Sequence, residues 1–252
     1  MKINKGIDIE IQRLLKQFKL PDMHNKYEEA IESAIKEKLS YREFLYNLLI
    51  LEEQGKKERL RIRNIKKANF DGNKTLDDFD FAFSKSINQD KIRDLATLRF
   101  IEKRENIVFV GPPGVGKSHL SEAIGMRACE EGKTVLFANA IDLMEDLSSA
   151  VRNGALKQKF SKLLKIDLLI IDDIGYLKMD KEKESLFFQL IRQRYEKKSL
   201  IVTTNLPFNR WDDIFTSELA AAAVLDRLLH HSHVISITGD SFRVKQNFRE
   251  GQ

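Results

Sequence analysis

The chain has 252 residues, 42% of them apolar and 16 of them phenylalanine, enough for one domain of ordinary size plus a smaller module. No window approaches the roughly 20 apolar residues of a membrane-spanning helix, and the polar start MKINKGIDIE does not read as a signal peptide. The single cysteine, Cys129, cannot form an internal disulfide, so a reducing, cytoplasmic setting is expected, with no membrane partner. The net charge is +5, and residues 1–70 carry 16 Lys+Arg against 11 Asp+Glu while residues 71–252 carry 27 against 27. A basic appendage on a neutral core implies an acidic partner, nucleic acid first, with a solvated lysine-rich helix face as the plainer alternative.

Residues 7–68 read as helices and define a small all-helical N-terminal domain over residues 1–70. Ile7, Ile11, Leu14, Leu15 and Phe18 fall at helical spacing, with Pro21 expected to end that segment, and a second helix is expected over Tyr27–Lys38. Ser40 with Glu43 three residues on reads as a capping box ahead of Phe44, Leu45, Leu48 and Leu49. That helix continues into Lys56, Lys57, Arg59, Arg61, Arg63, Lys66 and Lys67, seven cations in twelve residues. Lacking an aromatic for base stacking, the run is suited to phosphate contacts that ignore sequence. A linker is predicted at Asn69–Asn73, then an extended arm whose Leu76, Phe79, Phe81 and Phe83 pack onto the second domain, residues 71–252. A helix over Ile92–Arg104 leads to the first strand.

From there apolar runs alternate with helical ones. Strands are expected at Ile107–Val110, Thr134–Ala138, Leu168–Ile171, Leu200–Thr203 and Val234–Ile237. Helices are expected around His119–Glu131, Ile141–Arg152, Leu156–Leu164, Lys181–Glu196 and Glu218–His230. This α/β pattern implies a parallel five-stranded sheet with helices on both faces.

Gly111-Pro112-Pro113-Gly114-Val115-Gly116-Lys117-Ser118, followed by His119, fits G-x-x-x-x-G-K-[ST], the phosphate-binding loop of nucleoside triphosphatases. Its glycines let the backbone close around phosphate oxygens, and the helix that follows offers free amides and its positive end. Lys117 would meet the β- and γ-phosphates, and Ser118 would ligate Mg²⁺. The run LLIIDD brings Asp172 to the metal's hydration shell and Asp173 to the attacking water. IVTTN ends in Asn205, a candidate for the γ-phosphate or the water, with a helix cap before Pro207 as the competing role. Arg227, beside Asp226, is a candidate finger for a neighbouring subunit's site or one half of a surface pair. His230, His231 and His233 invite a zinc reading. No Cys or carboxylate lies at ligand spacing, and residues 230 and 231 would point about 100° apart on a helix, so no metal is expected there.

With these parts in place the sequence resembles the IstB-like transposition helper ATPases, relatives of the DnaC-type helicase loaders in the AAA+ superfamily. The resemblance runs over nearly the whole chain, through LPDM, SYREFLYNLL, KTLDDFDF, REN, GPPGVGKSHL, DLLIIDDIGYL, RYEKKS, TTN, LDRLLHHSHVI and GDSFR. It implies an AAA+ ATPase of a bacterial insertion sequence, using ATP and Mg²⁺. Such a protein assembles as a homo-oligomer on duplex DNA, helps choose the target and recruits or stimulates a cognate transposase. Carried onto this chain, Lys117, Ser118 and Asp172 are nucleotide and metal residues, Asp173 the catalytic acid, Asn205 the first sensor and Arg227 the finger acting in trans. Arg152, Lys157, Lys159, Lys162 and Lys165 would face DNA from the helices between the second and third strands.

Two departures stand out. The acid is Asp173 where Glu is usual, and only about fifteen residues follow the fifth strand, too few for the helical lid; Arg243 is a candidate to replace its sensor arginine, with a structural or DNA-contacting role as the equal alternative. The alternatives are a DnaC-type helicase loader on the same fold, a small-molecule P-loop kinase, and a scaffold whose hydrolysis only times release from DNA.

Overall fold

The structure is a computed structural model and describes residues 5–242; Arg243 and the rest of the C-terminal segment lie outside the described residues. The chain divides into two compact units, Met1–Arg63 and Asn64–Gln252, with the division inside a helix.

The first unit is built from α1 (Lys5–Gln17), α2 (Pro21–Glu37) and the start of α3 (Tyr41–Ala68). Its core is small: Met23, Tyr27 and Leu48 are buried, with Ile11, Leu15, Ile31 and Phe44 packed around them. The expected capping box forms, with Ser40 N donating to Glu43 Oε2 at 2.7 Å and Glu43 N donating to Ser40 Oγ at 3.3 Å. Pro21 does not close α1 from outside but opens α2, six residues before the expected start, where its lack of an N–H costs nothing. The next two amides, Asp22 N and Met23 N, donate to the buried carboxylate of Glu52 on α3 at 2.9 and 3.0 Å. Arg59 in turn binds Glu52 at 2.9 Å and also pairs with Asp22. A cation that charge patterning assigned to phosphates is thus part of the helix cap.

The second unit holds the last turn of α3, because Ala68 is buried in its core and Asn64 donates to Gly132 O and Lys133 O at 3.1 and 3.0 Å. Then follow α4 (Gln89–Leu95), α5 (Arg99–Glu102), β1 (Asn106–Val110), α6 (Lys117–Glu130), β2 (Val135–Asn139), α7 (Ala140–Arg152) and α8 (Leu156–Lys165). The remaining elements are β3 (Leu168–Asp172), α9 (Lys181–Arg194), β4 (Ser199–Thr204), α10 (Glu218–Leu229) and β5 (Ser232–Ser236). The sheet is wholly parallel in the order β2-β3-β4-β1-β5. Alternate strand residues enter different cores. Val108, Leu169, Ile171, Leu200 and Val202 join α7 to α10 on one face, whereas Ile107, Phe109, Leu168, Ile170 and Ile201 join α4 to α6 on the other. Burial on both sides is why these strands are continuously apolar in sequence.

Two local expectations change. The helix predicted over 92–104 is interrupted at Leu98, which takes a left-handed conformation (φ 65°) and separates α4 from α5. The arm is a chain of turns, with Phe79 N bonded to Leu76 O at 3.3 Å and Phe81 N to Phe79 O at 3.0 Å, though Leu76, Phe79 and Phe81 do pack on the core. Among the described residues no helix is long and apolar enough to cross a membrane.

The amino end of the sheet is held by polar groups. The fully buried Arg194 donates to Leu163 O and Ser199 O, both at 2.7 Å, and to Ile166 O at 3.1 Å, gathering the end of α8 and the start of β4. Burial lowers its pKa to about 10, still above neutrality. Asp167 accepts from Thr134 N at 3.0 Å, Thr134 Oγ1 at 2.7 Å and Lys198 Nζ at 2.6 Å. Burial opposes its ionisation, but the Lys198 ammonium and the Thr134 donors outweigh it and hold the pKa below the usual carboxylate value. A lowered folded-state pKa contributes stability that is complete at neutral pH and fades as the pH falls through about 4 and below. Urea denaturation at pH 7 and at pH 2 should therefore show Asp167→Asn closing much of its stability gap to the parent at the lower pH; a gap that stays unchanged down to that pH contradicts the ion pair.

Candidate nucleotide site

The phosphate loop leaves β1 at Val110, whose partner in register is Thr204 on β4; β4 in turn borders β3, which ends at Asp172. Strand order alone therefore brings Gly111, Asp172 and Asn205 to the carboxyl ends of three adjacent strands, where open α/β sheets bind ligands. Gly116 stands at φ 101° as the residue before α6, and a Cβ there would lie 2.5 Å from the Phe79 ring, so both its backbone angle and its neighbour require glycine. Lys117, the first residue of α6, is buried, and its ammonium donates to Gly111 O and Pro112 O, both at 2.8 Å.

Beside the loop lies a cleft of about 220 Å³. Pro113, Gly114, Val115, Gly116, Lys117, Ser118 and His119 line one side, and Asp173 and Tyr176 come from the segment after β3. The arm closes it with Lys74, Asp78, Phe79 and Phe83, and Phe242 stacks edge-on against Phe83 with ring centroids 5.2 Å apart. Three contacts fix the arm. His119 Nε2 meets Thr75 O at 2.9 Å, its ring stands edge-on to Phe79 at 5.2 Å, and the fully buried Glu122 on α6 accepts from Gly72 N at 2.9 Å and Lys74 Nζ at 2.8 Å.

The acids are set by a residue that sequence reading passed over. Thr203 Oγ1, on β4, donates to Asp172 Oδ1 at 2.6 Å and accepts from Asp173 N at 2.8 Å. Asp172 is buried, whereas Asp173 adopts a left-handed conformation (φ 58°, ψ 44°) at the cleft. A non-glycine residue in that region is uncommon and clusters at functional sites. Asn205 follows β4 with its Oδ1 buried and without a hydrogen-bond partner among the described residues. It caps no helix: the 3-10 turn Phe208–Asp213 starts after Pro207 with no side-chain cap, so the competing role is not the observed one. A Cβ at Gly175 would collide with that same Oδ1, so glycine is needed where the turn after Asp173 passes the amide. Ser118 and Asp172 supply hard oxygen donors of the kind that bind Mg²⁺ while leaving it several waters.

Arg227 is absent from this cleft. It lies on α10, with Nη1 bonded to its own Ala223 O at 2.7 Å and the guanidinium 4.9 Å from the centre of the Phe188 ring on α9. Arg152, Lys157, Lys162 and Lys165 are exposed on α7 and α8, while Lys159 pairs with Asp146 at 2.6 Å; Phe160 and Leu163 turn inward. In the first unit Lys57 pairs with Glu53 at 2.8 Å and Arg61 with Glu58 at 2.7 Å, beside exposed Lys56 and Arg63.

Comparison with known proteins agrees with this geometry. The family model "IstB-like ATP binding protein" matches residues 13–250. An ATP-binding protein of insertion sequence IS21 from Pseudomonas aeruginosa is 40% identical over 242 residues, covering 96% of this chain and 91% of the relative. One of insertion sequence IS232 from Bacillus thuringiensis subsp. berliner is 42% identical over 234 residues, covering 93% and 94%. Among solved structures, DnaI superposes with a TM-score of 0.56 at 22% identity over 66% of this chain and 92% of its own. AMPPCP-bound DnaA from Aquifex aeolicus gives 0.55 at 21% identity over 72% and 56%. The fold is that of the AAA+ proteins, and the chain belongs to the IstB-like ATP-binding family.

Proposed function

We propose that the chain is an ATP-hydrolysing helper of DNA transposition. It binds ATP with Mg²⁺ in the cleft beside the phosphate loop, assembles as a homo-oligomer on duplex DNA, selects or remodels the target, and recruits or stimulates a cognate transposase. The observation that carries the chemical part is the placing of Lys117, the Thr203-held pair Asp172 and Asp173, and Asn205, whose Oδ1 has no hydrogen-bond partner among the described residues, at three adjacent strand ends. The biological part rests on relatives that belong to insertion sequences and match nearly end to end, which favours this reading over the helicase loader.

In this mechanism Lys117 exchanges its loop carbonyls for the β- and γ-phosphate oxygens. Ser118 and Asp172 would hold Mg²⁺, which would supply charge neutralisation at the phosphates. Asp173 polarises the attacking water, and the orphaned Asn205 Oδ1 accepts a hydrogen bond from it. Arg227 completes a neighbouring protomer's site. Its present bonds are weaker than the gain: a hydrogen bond from a charged group contributes about 1.5–3 kcal/mol and a half-buried cation–π contact about 1–2 kcal/mol. A finger contributes about 10³–10⁵-fold in rate, about 4–7 kcal/mol.

Three measurements check the proposal. Gly175→Ala, which displaces the Asn205 amide without touching the phosphate loop, should lower kcat by about 100-fold or more while nucleotide affinity stays within about threefold; unchanged turnover removes Asn205 from the mechanism. Arg227→Ala should bind ATP but not turn it over, and mixing it with inactive Lys117→Ala protein should restore DNA-dependent hydrolysis. Absence of complementation puts the arginine's action outside a shared site. For DNA, Lys56, Arg63 and Lys66 are the cations to neutralise, because Arg59 caps α2 and Lys57 and Arg61 pair with carboxylates. The triple glutamine variant should flatten the plot of log affinity against log salt by about 0.9 for each phosphate it no longer neutralises, and an unaltered slope places the DNA-binding cations elsewhere.

A further inference from the structure

At the end of the sheet opposite the phosphate loop, Glu196, His230 and His231 come together. One ring nitrogen of each histidine and a carboxylate oxygen all lie within 4.8 Å of one another, and all three residues are exposed. The sequence hid this in two ways. The carboxylate comes from the turn between α9 and β4, remote in sequence from the histidines. And α10 ends at Leu229, so His231 leaves the helix and the two rings approach to 4.0 Å between centroids instead of diverging. We propose that these residues form a binding site for a divalent transition metal of the zinc class.

The geometry matches that ion. Four ligands at about 2.0–2.1 Å in a tetrahedron stand about 3.3 Å from one another, and His231 Nε2 lies 3.3 Å from Glu196 Oε1. His230 is already oriented: Tyr195 Oη lies 2.6 Å from its Nδ1 and holds the ring in place. Two imidazoles and one carboxylate exclude Mg²⁺ and Ca²⁺ as preferred ions and leave a fourth position for water.

The two turns that carry the donors are fixed by one buried side chain. Asn106, at the start of β1, accepts from Leu200 N at 2.9 Å and donates to Leu228 O at 3.1 Å, while its own N–H donates to His231 O at 2.8 Å. Arg104 adds a bond to Glu196 O at 3.2 Å, which holds the backbone of that turn. Glu196 itself is held left-handed (φ 56°). The donors are thus preorganised on a rigid frame and open to solvent, so an ion can enter without unfolding.

The test uses the untagged full-length chain and Zn²⁺ alone, titrated by calorimetry. One ion per chain is expected, and Co²⁺ should give the intense visible absorption of a four-coordinate site. His231→Ala and the isosteric Glu196→Gln should each abolish uptake while leaving the metal-free melting curve unchanged, and Tyr195→Phe should weaken it about 10–100-fold through loss of the oriented His230. Cys129→Ser and His233→Ala should bind as the parent does. Failure of the parent to take up Zn²⁺, uptake that survives His230→Ala/His231→Ala/Glu196→Gln, or uptake abolished only by changing Cys129 or His233 would each overturn the proposal.

Discussion

One hydroxyl group organises the chemistry of this fold. Thr203, fully buried on β4, donates a hydrogen bond to the Asp172 carboxylate and accepts one from the backbone N–H of Asp173. The first bond orients a carboxylate that burial would otherwise penalise. The second pins the chain just as it turns left-handed, so two consecutive acids diverge, one under the sheet's rim and the other to the cleft. Because β4 also borders β1, the strand that sets the acids is the one that sets the phosphate loop and delivers Asn205.

Glycine enters this arrangement through what would otherwise occupy the space. At Gly116 the Phe79 ring of the arm lies where a side chain would stand, and at Gly175 the Asn205 amide does. The Asn205 oxygen is the more telling case. A buried acceptor without a partner costs about 1–3 kcal/mol, and such groups persist where a ligand or water is to meet them.

Much of this was legible in advance for a physical reason. Strands covered on both faces need apolar runs, and the central β1, β3 and β4 stood out as such; all five strands end within two residues of their expected limits. The phosphate loop is read from residue type because its backbone geometry tolerates few alternatives. What stayed hidden depends on partners distant in sequence. Pro21 is compatible with the end of one helix or the start of the next, and Glu52, thirty residues on, decides it. Leu98 has no chemistry that announces a left-handed break. Thr203 looked like an ordinary strand residue, since its role exists only once β3 lies beside β4. The basic stretch shows the opposite error: composition counted seven cations, but Arg59, Lys57 and Arg61 already have carboxylate partners, so the charge facing outward is smaller than the count.

The two ends of the sheet divide the labour. Reactive groups collect at the carboxyl ends, where loops leave adjacent strands, while the amino ends hold Arg194, Asp167 and Asn106, buried or half-buried groups that tie helix termini to strand starts. α10 belongs to both. Its last turn carries Arg227, leaning on Phe188 of α9, and His230 follows at once, bonded to Tyr195 where α9 ends. α9 and α10 are therefore joined at two points one turn apart, one through the guanidinium and one through the imidazole. A proposed finger needs a reach that is short and reproducible, since misplacing a catalytic group by about 1 Å can cost about 100-fold. Fastening the helix immediately beyond Arg227, by Tyr195 and by the proposed metal, restricts the side chain's search to its own torsions and leaves the backbone out of it.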